Sequence, residues 1–223
     1  MESHDMDMNH SQDAAIALLR EARILPVVTV ISAEQAVAIA HALVEGGLVA
    51  IELTLRTPAA LDAIAAVKQA VPGIAVGAGT VLSAAQIAAA RDAGADFLVT
   101  PGTPPALAQA LVEAGLPSIP GAATATELLA LSALGFRVCK LFPASAIGGL
   151  ALIRALRGPL PAMLLCPTGG IGETEAPQYL AEPNVVCVGG SWMVRPEWLA
   201  EGHYDAVAEA ALRSRAAVIR PAR

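Results

Sequence analysis

The chain has 223 residues, of which 55% are apolar, 15% charged and 3% aromatic, with a formal net charge of −6. That length suits one large domain with a sizeable core, and the composition excludes a largely disordered chain or a charged coiled coil. The acidic balance and scarcity of aromatics supply neither a basic stripe nor a stacking platform, so no nucleic-acid partner is expected.

The N-terminal stretch MESHDMDMNHSQD is polar and has no apolar h-region. It reads as a mobile tail over residues 1–11 rather than a secretory signal, and the protein as cytoplasmic. Residues 12–223 then form a single domain, opening with a helical pattern from Gln12 to Arg23. Eight short apolar runs follow: ILPVVTV from Ile24, LVAIEL from Leu48, IAVGAGT from Ile74, FLVT from Phe97, PSIPG from Pro117, RVCKLF from Arg137, MLLCPTG from Met163 and VVCVGG from Val185. Alanine-rich amphipathic stretches separate them, including Ala33 to Glu45, Pro58 to Ala70 and a final one through Ala206 to Ala217. Successive runs start 20 to 26 residues apart, the length of one strand, one helix and two short loops. No apolar run approaches the ~20 residues that span a bilayer, so no membrane partner is expected.

Gly47, Gly94, Gly115 and Gly135 suit the left-handed position after a helix, where a Cβ is penalised. Ser32, Thr57 before Pro58, Ser83, Thr103 before Pro104, and Thr124 are candidate N-caps. The pattern predicts an α/β fold, a single-domain (β/α)₈ TIM barrel with an extra N-terminal helix. An open doubly wound sheet would want a GxGxxG turn after the first strand, where this chain reads VISAEQ. Cys139, Cys166 and Cys187 each sit within an apolar run and read as small buried hydrophobes rather than a disulfide framework.

Only two of the 14 basic residues are lysines. Lys68 lies on a helix beside Gln69, whereas Lys140 interrupts the strand RVCKLF. Burying an unpartnered ammonium is costly, and such an amine tends to give up its proton and become a nucleophile toward carbonyls. A structural salt bridge, or snorkelling to the barrel mouth, is the competing use of Lys140. Glu52 in LVAIEL is the matching acidic intrusion, although an ion pair with Arg56 would also account for it. By strand alternation both charges can point into the barrel. An imine-forming amine and a general base in one poorly hydrated pocket are the parts of an aldol cleavage beside a ketone.

The strand ends GAGT (77–80), CPTGG (166–170) and VGGS (188–191) are small, hydroxylated and rich in backbone amides. Loops after strands seven and eight of a barrel often hold phosphate, which points to Gly169, Gly170, Gly189, Gly190 and Ser191. His4, His10, His41 and His203 lie away from the strand ends, so no metal is assigned.

As a set, GGLVAIELTLRTPAALDAI, VGAGTVL, TPG, PGAATATE, CKLFPA, CPTGGI and GGSW closely resemble the class I 2-keto-3-deoxy-6-phosphogluconate (KDPG) and 4-hydroxy-2-oxoglutarate (KHG) aldolases, from about Ile24 to Tyr204. The resemblance implies Lys140 as the Schiff-base lysine and Glu52 as general acid/base acting through a bound water. It further implies Arg56, Thr80 and Thr168 at the substrate carboxylate and keto-acid end, with Pro101 and Phe142 shaping the pyruvate pocket. Gly169, Gly170, Gly190 and Ser191 become the phosphate site. The implied reaction is reversible cleavage to pyruvate and glyceraldehyde 3-phosphate on a small phosphorylated keto acid, with no cofactor, in a homotrimer. One departure is Ser145, where many members of the family carry glutamate; it bears on stereochemistry and efficiency. Alternatives are the aldolase for the galactonate epimer, a phosphate-binding isomerase or thiamin-phosphate-type synthase without an imine, and a barrel that only binds sugar phosphate.

Overall fold

The computed structural model describes residues 2–218. In chain order they form α1 (Glu2–Ala22), β1 (Ile24–Val28), α2 (Ala33–Glu45), β2 (Ala50–Thr54), α3 (Ala60–Ala70), β3 (Ala75–Gly79), α4 (Ala84–Asp92), β4 (Phe97–Val99), α5 (Pro105–Ala114), β5 (Ser118–Ile119), β6 (Gly121–Ala122), α6 (Ala125–Ala133), β7 (Val138–Leu141), α7 (Gly149–Arg157), β8 (Leu164–Pro167), α8 (Ala176–Leu180), β9 (Val188–Gly190), α9 (Pro196–Glu201) and α10 (Tyr204–Val218). Each predicted strand run contains a strand. PSIPG yields two, β5 and β6, because Pro120 has no N–H to give to the ladder.

The strands pair in parallel, in the order β5-β4-β3-β2-β1-β9 and β6-β7-β8. Isolated parallel bridges Leu165↔Val185 and Thr168↔Gly189 link β8 with the β9 segment. The result is an α/β fold whose parallel sheet curls with helices outside it. Side chains on the helix-facing side, such as Ile51, Leu98, Leu141 and Leu165, join one large apolar cluster. Their neighbours along each strand, Ala50, Phe97, Val99, Val138 and Cys166, join a second cluster on the inner side. Toward the C-terminal ends of the strands the same inner face turns polar, at Glu52, Lys140 and Thr168, all buried.

Helix α1 closes the opposite end. Ala15, Ile16, Leu19 and Ala22 belong to the inner cluster. Gln12, fully buried, donates through Nε2 to Ser118 O (3.0 Å) and accepts at Oε1 from Arg137 N (3.0 Å). Within the stretch expected as a mobile tail over residues 1–11, helix α1 runs from Glu2, Met8 is buried, and Ser11 Oγ donates to Leu116 O at 2.9 Å. Residue 1 and residues 219–223, at the outer ends of the two expected segments, lie outside the described residues.

The joints follow the sequence expectation. Gly47, Gly94, Gly115 and Gly135 have φ of 81°, 88°, 67° and 93°. At the α1–β1 joint Arg23 adopts φ 58° without being glycine, and its guanidinium reaches the carbonyls of Leu180 (3.3 Å) and Val186 (3.4 Å). Ser32 and Ser83 cap α2 and α4, and Thr124 forms a capping box with Glu127. The Ala123 amide first, then the Thr124 hydroxyl, hold the Glu127 carboxyl below its ordinary range. Two expected caps are not made. Thr57 donates instead to Val30 O (2.7 Å) and Thr103 to Gly121 O (2.9 Å), so each hydroxyl ties one loop to the next.

Candidate active site

Lys140 on β7 and Glu52 on β2 meet inside the curled sheet, with Nζ 3.1 Å from Oε1 and 3.4 Å from Oε2. Lys140 is 5% exposed and Glu52 1%. Two charges can be buried together where each would be prohibitive alone, because Coulomb attraction and hydrogen bonding offset part of the desolvation. The amine must lose a proton before it can attack a carbonyl, and Glu52 Oε1 stands within reach to accept it. The competing pairing of Glu52 with Arg56 is not made; Arg56 Nε donates to Thr80 Oγ1 at 3.1 Å, on the loop after β3. Lys140 Nζ also lies 5.5 Å from the centroid of the Phe142 ring.

Room for the carboxylate comes from β3. Glu52 is in register with Gly77, and Thr54 with Gly79. A Cβ at Gly79 would stand 2.5 Å from Glu52 Cγ and 2.7 Å from its carboxyl carbon. The Glu52 side chain thus leans up to the level of Thr54 and Gly79 and fills the volume that the missing side chain leaves.

Above the pair, at the C-terminal ends of the strands, opens a cavity of about 370 Å³ whose walls include Thr29, Arg56, Phe142, Thr168, Gly170 and Ser191. Gly169 and Gly190 also line it, so seven of the predicted site residues converge there. Thr80 joins through Arg56. Pro101 stands apart from this wall; its backbone packs against Gly121, the register partner of Lys140. Lys140 and Glu52 are not in the cavity wall; Phe142, which is, has its ring centroid 5.5 Å from Lys140 Nζ and stands between the cavity and the buried pair. Another cavity, about 480 Å³, lies between α1, α5 and α6, and none of its lining side chains is charged.

The β8 and β9 ends carry the amides. Gly169 and Gly170 adopt φ of 99° and 72°. Among the described residues the Gly170 and Ser191 amides have no acceptor within the protein, and both residues are exposed to the cavity. Such unclaimed donors on a turn suit an anion. The loop after β7 is fastened to them by Ala144 N to Thr168 O (2.8 Å) and Ser145 N to Gly169 O (3.0 Å). Gly189 leaves the space that the buried Thr168 side chain occupies. Among the described residues no three His, Cys, Asp or Glu side chains gather as a metal site, and no helix is long and apolar enough to cross a membrane.

The family model for KDPG and KHG aldolases matches residues 15–210. The chain belongs to that family. It is 41% identical over 204 residues to the KHG/KDPG aldolase of Escherichia coli, covering 92% of this chain and 96% of the relative. It is 46% identical over 177 residues to a 2-dehydro-3-deoxy-phosphogluconate aldolase of Pseudomonas aeruginosa, covering 79% and 80%. Among solved structures, the KDPG aldolase of Legionella pneumophila, with pyruvate captured as a covalent carbinolamine, superimposes with a TM-score of 0.86 at 36% identity, covering 89% of this chain and 96% of that one.

For this KDPG and KHG aldolase chain, sequence reasoning missed Gly79, which reads as one more small residue in GAGT, and the pair Thr29–Thr54, whose hydroxyl oxygens lie 2.8 Å apart. Strand alternation puts Thr54 on the Glu52 face, the one signal that could have flagged it.

Proposed function

We propose that the chain is a Schiff-base aldolase that reversibly cleaves KDPG to pyruvate and D-glyceraldehyde 3-phosphate, and KHG to pyruvate and glyoxylate. The observation that carries this reading is the buried Lys140–Glu52 contact of 3.1 Å beneath a cavity with unclaimed amides at its far side. Glu52 takes a proton from the Lys140 ammonium, and the neutral amine adds to the C2 carbonyl. Glu52 returns its proton to the carbinolamine hydroxyl, which leaves as water, so a protonated imine and an ionised Glu52 remain. Glu52, through a bound water, then removes the proton of the C4 hydroxyl. The C3–C4 electron pair moves into the imine, the aldehyde leaves, and an enamine remains. Protonation at C3 and hydrolysis of the imine release pyruvate and regenerate the amine.

Arg56 and Thr80, joined at 3.1 Å, hold the substrate carboxylate together with Thr168, since a guanidinium offers paired donors to a carboxylate. Phe142 and Pro101 shape the pyruvate pocket, and Gly169, Gly170, Gly190 and Ser191 hold the phosphate. An isomerase or synthase reading has no use for the buried lysine–carboxylate pair. Pyruvate release measured separately on KDPG, its galactonate epimer and KHG tests the assignment. Turnover of KDPG and KHG in preference to the galactonate epimer is expected, and no pyruvate from any of them would overturn it.

The finer architecture belongs to the same proposal. Reading β5 and β6 as one strand broken at Pro120, and the β8–β9 bridges as a ladder, joins the two sheets into a closed (β/α)₈ barrel with α1 as an additional helix across its N-terminal end. The alanine-rich helices and exposed side chains such as Leu129 and Leu212 offer apolar surface for a homotrimer. A cytoplasmic location fits a phosphorylated keto acid, whose charges keep it from crossing membranes.

A further inference from the structure

We infer that the hydroxyl pair Thr29–Thr54 recognises the substrate hydroxyl on C5, one carbon beyond the bond that breaks. The inference rests on the reading of the site as that of a KDPG aldolase.

The topology sets the path. Strand β1 lies between β9, whose end carries Gly190 and Ser191, and β2, which carries Glu52. A substrate with its C4 hydroxyl at Glu52 and its phosphate at the β8 and β9 loops must lay C5 across the end of β1. Thr29 is the residue there, and it lines the cavity. The register pairs Val28 with Leu53, which brings Thr29 level with Thr54, the level to which the Glu52 carboxylate reaches beside Gly79. The polar side chains of the cavity wall are Thr29, Arg56, Thr168 and Ser191. The last three have roles at the substrate's carboxylate and phosphate ends, and Thr29 is left over among neighbours such as Val27, Val28 and Val194.

The pair also has a polarity. Thr54 is fully buried, and its hydroxyl has one partner, Thr29 Oγ1 at 2.8 Å. If Thr29 donated to Thr54, the Thr54 hydrogen would be stranded in a dry wall. Thr54 therefore donates to Thr29, which leaves the Thr29 hydrogen free to donate into the cavity. Thr29 is exposed there, and a sugar hydroxyl oxygen is a suitable acceptor.

The test compares kcat/KM for cleavage of KDPG and of its 5-deoxy analogue, alongside pyruvate trapping on Lys140 with borohydride. The wild type favours KDPG. Thr29→Val reduces that preference about 3- to 10-fold, the value of one neutral hydrogen bond, through loss on KDPG rather than on the analogue. Thr29→Ser retains it. The double variant Thr29→Val/Thr54→Val leaves no orphaned hydroxyl and shows the same reduction, which separates recognition from damage to the fold. An unchanged preference in both valine variants, or equal losses on the two substrates while trapping persists, overturns the inference and leaves the aldolase reading standing. A wild type that traps no pyruvate and cleaves neither substrate overturns both.

Discussion

Gly79 gives the sharpest handle on whether the carboxylate position matters. Replacing it with alanine adds a Cβ 2.5 Å from Glu52 Cγ and 2.7 Å from the carboxyl carbon. Carbon atoms settle near 3.5–4.0 Å, so the Glu52 side chain must retreat by about 1 Å. Glu52 is 1% exposed and has no solvent into which to swing, so the retreat is taken out of its 3.1 Å contact with Lys140. A displacement of about 1 Å at a reacting group costs about 100-fold in rate, and overpacking costs about 1–3 kcal/mol in stability. Gly79→Ala is expected to lower kcat for pyruvate release about 100-fold while pyruvate still condenses with Lys140. The assays are steady-state turnover, borohydride adduct yield and thermal denaturation. A folded Gly79→Ala variant with kcat within about threefold of the wild type would show that the carboxylate does not need its present position.

Three further outcomes are expected. Lys140→Ala abolishes cleavage and adduct formation and, by leaving Glu52 buried without its cation, destabilises the fold by about 3–5 kcal/mol; Lys140→Met/Glu52→Leu recovers much of that stability without activity, as chemical denaturation can show. Glu52→Gln keeps a hydrogen-bonding group near Lys140 but no base, so the pyruvate adduct still accumulates, more slowly, while cleavage slows as well, and a cleavage rate equal to wild type would remove Glu52 from proton transfer. Burial pushes the thiols of Cys139 and Cys187 well above their ordinary range, Cys187 further through its hydrogen bond with Cys166, so both resist thiol–disulfide reagents until the chain unfolds.

Much of the site was legible because its chemistry conflicts with its surroundings. A lysine in RVCKLF and a glutamate in LVAIEL are unfavourable in a strand unless they meet, and they do. The glycine joints and the caps at Ser32, Ser83 and Thr124 were legible because they depend on neighbours three or four residues away. Thr57 and Thr103 carry the same local signal, but their hydroxyls satisfy carbonyls of distant loops, at Val30 and Gly121. The N-terminal helix was underestimated for the opposite reason. Its polar composition masks a stripe of Met8, Gln12, Ala15, Leu19 and Ala22 at helical spacing, buried only once the strands provide a floor. Gly79 and Thr29 were invisible because their roles exist only when β3 and β1 are brought beside β2.

The proposed cleavage requires the Lys140 nitrogen to form an imine with the keto acid. Incubation with pyruvate and borohydride, followed by peptide mass spectrometry, measures it directly. A reduced pyruvyl adduct is expected on the peptide containing Lys140, and none on that containing Lys68, whose amine is engaged by Asp96 at 2.7 Å. An unmodified Lys140 in a protein that still cleaves its substrate would contradict it.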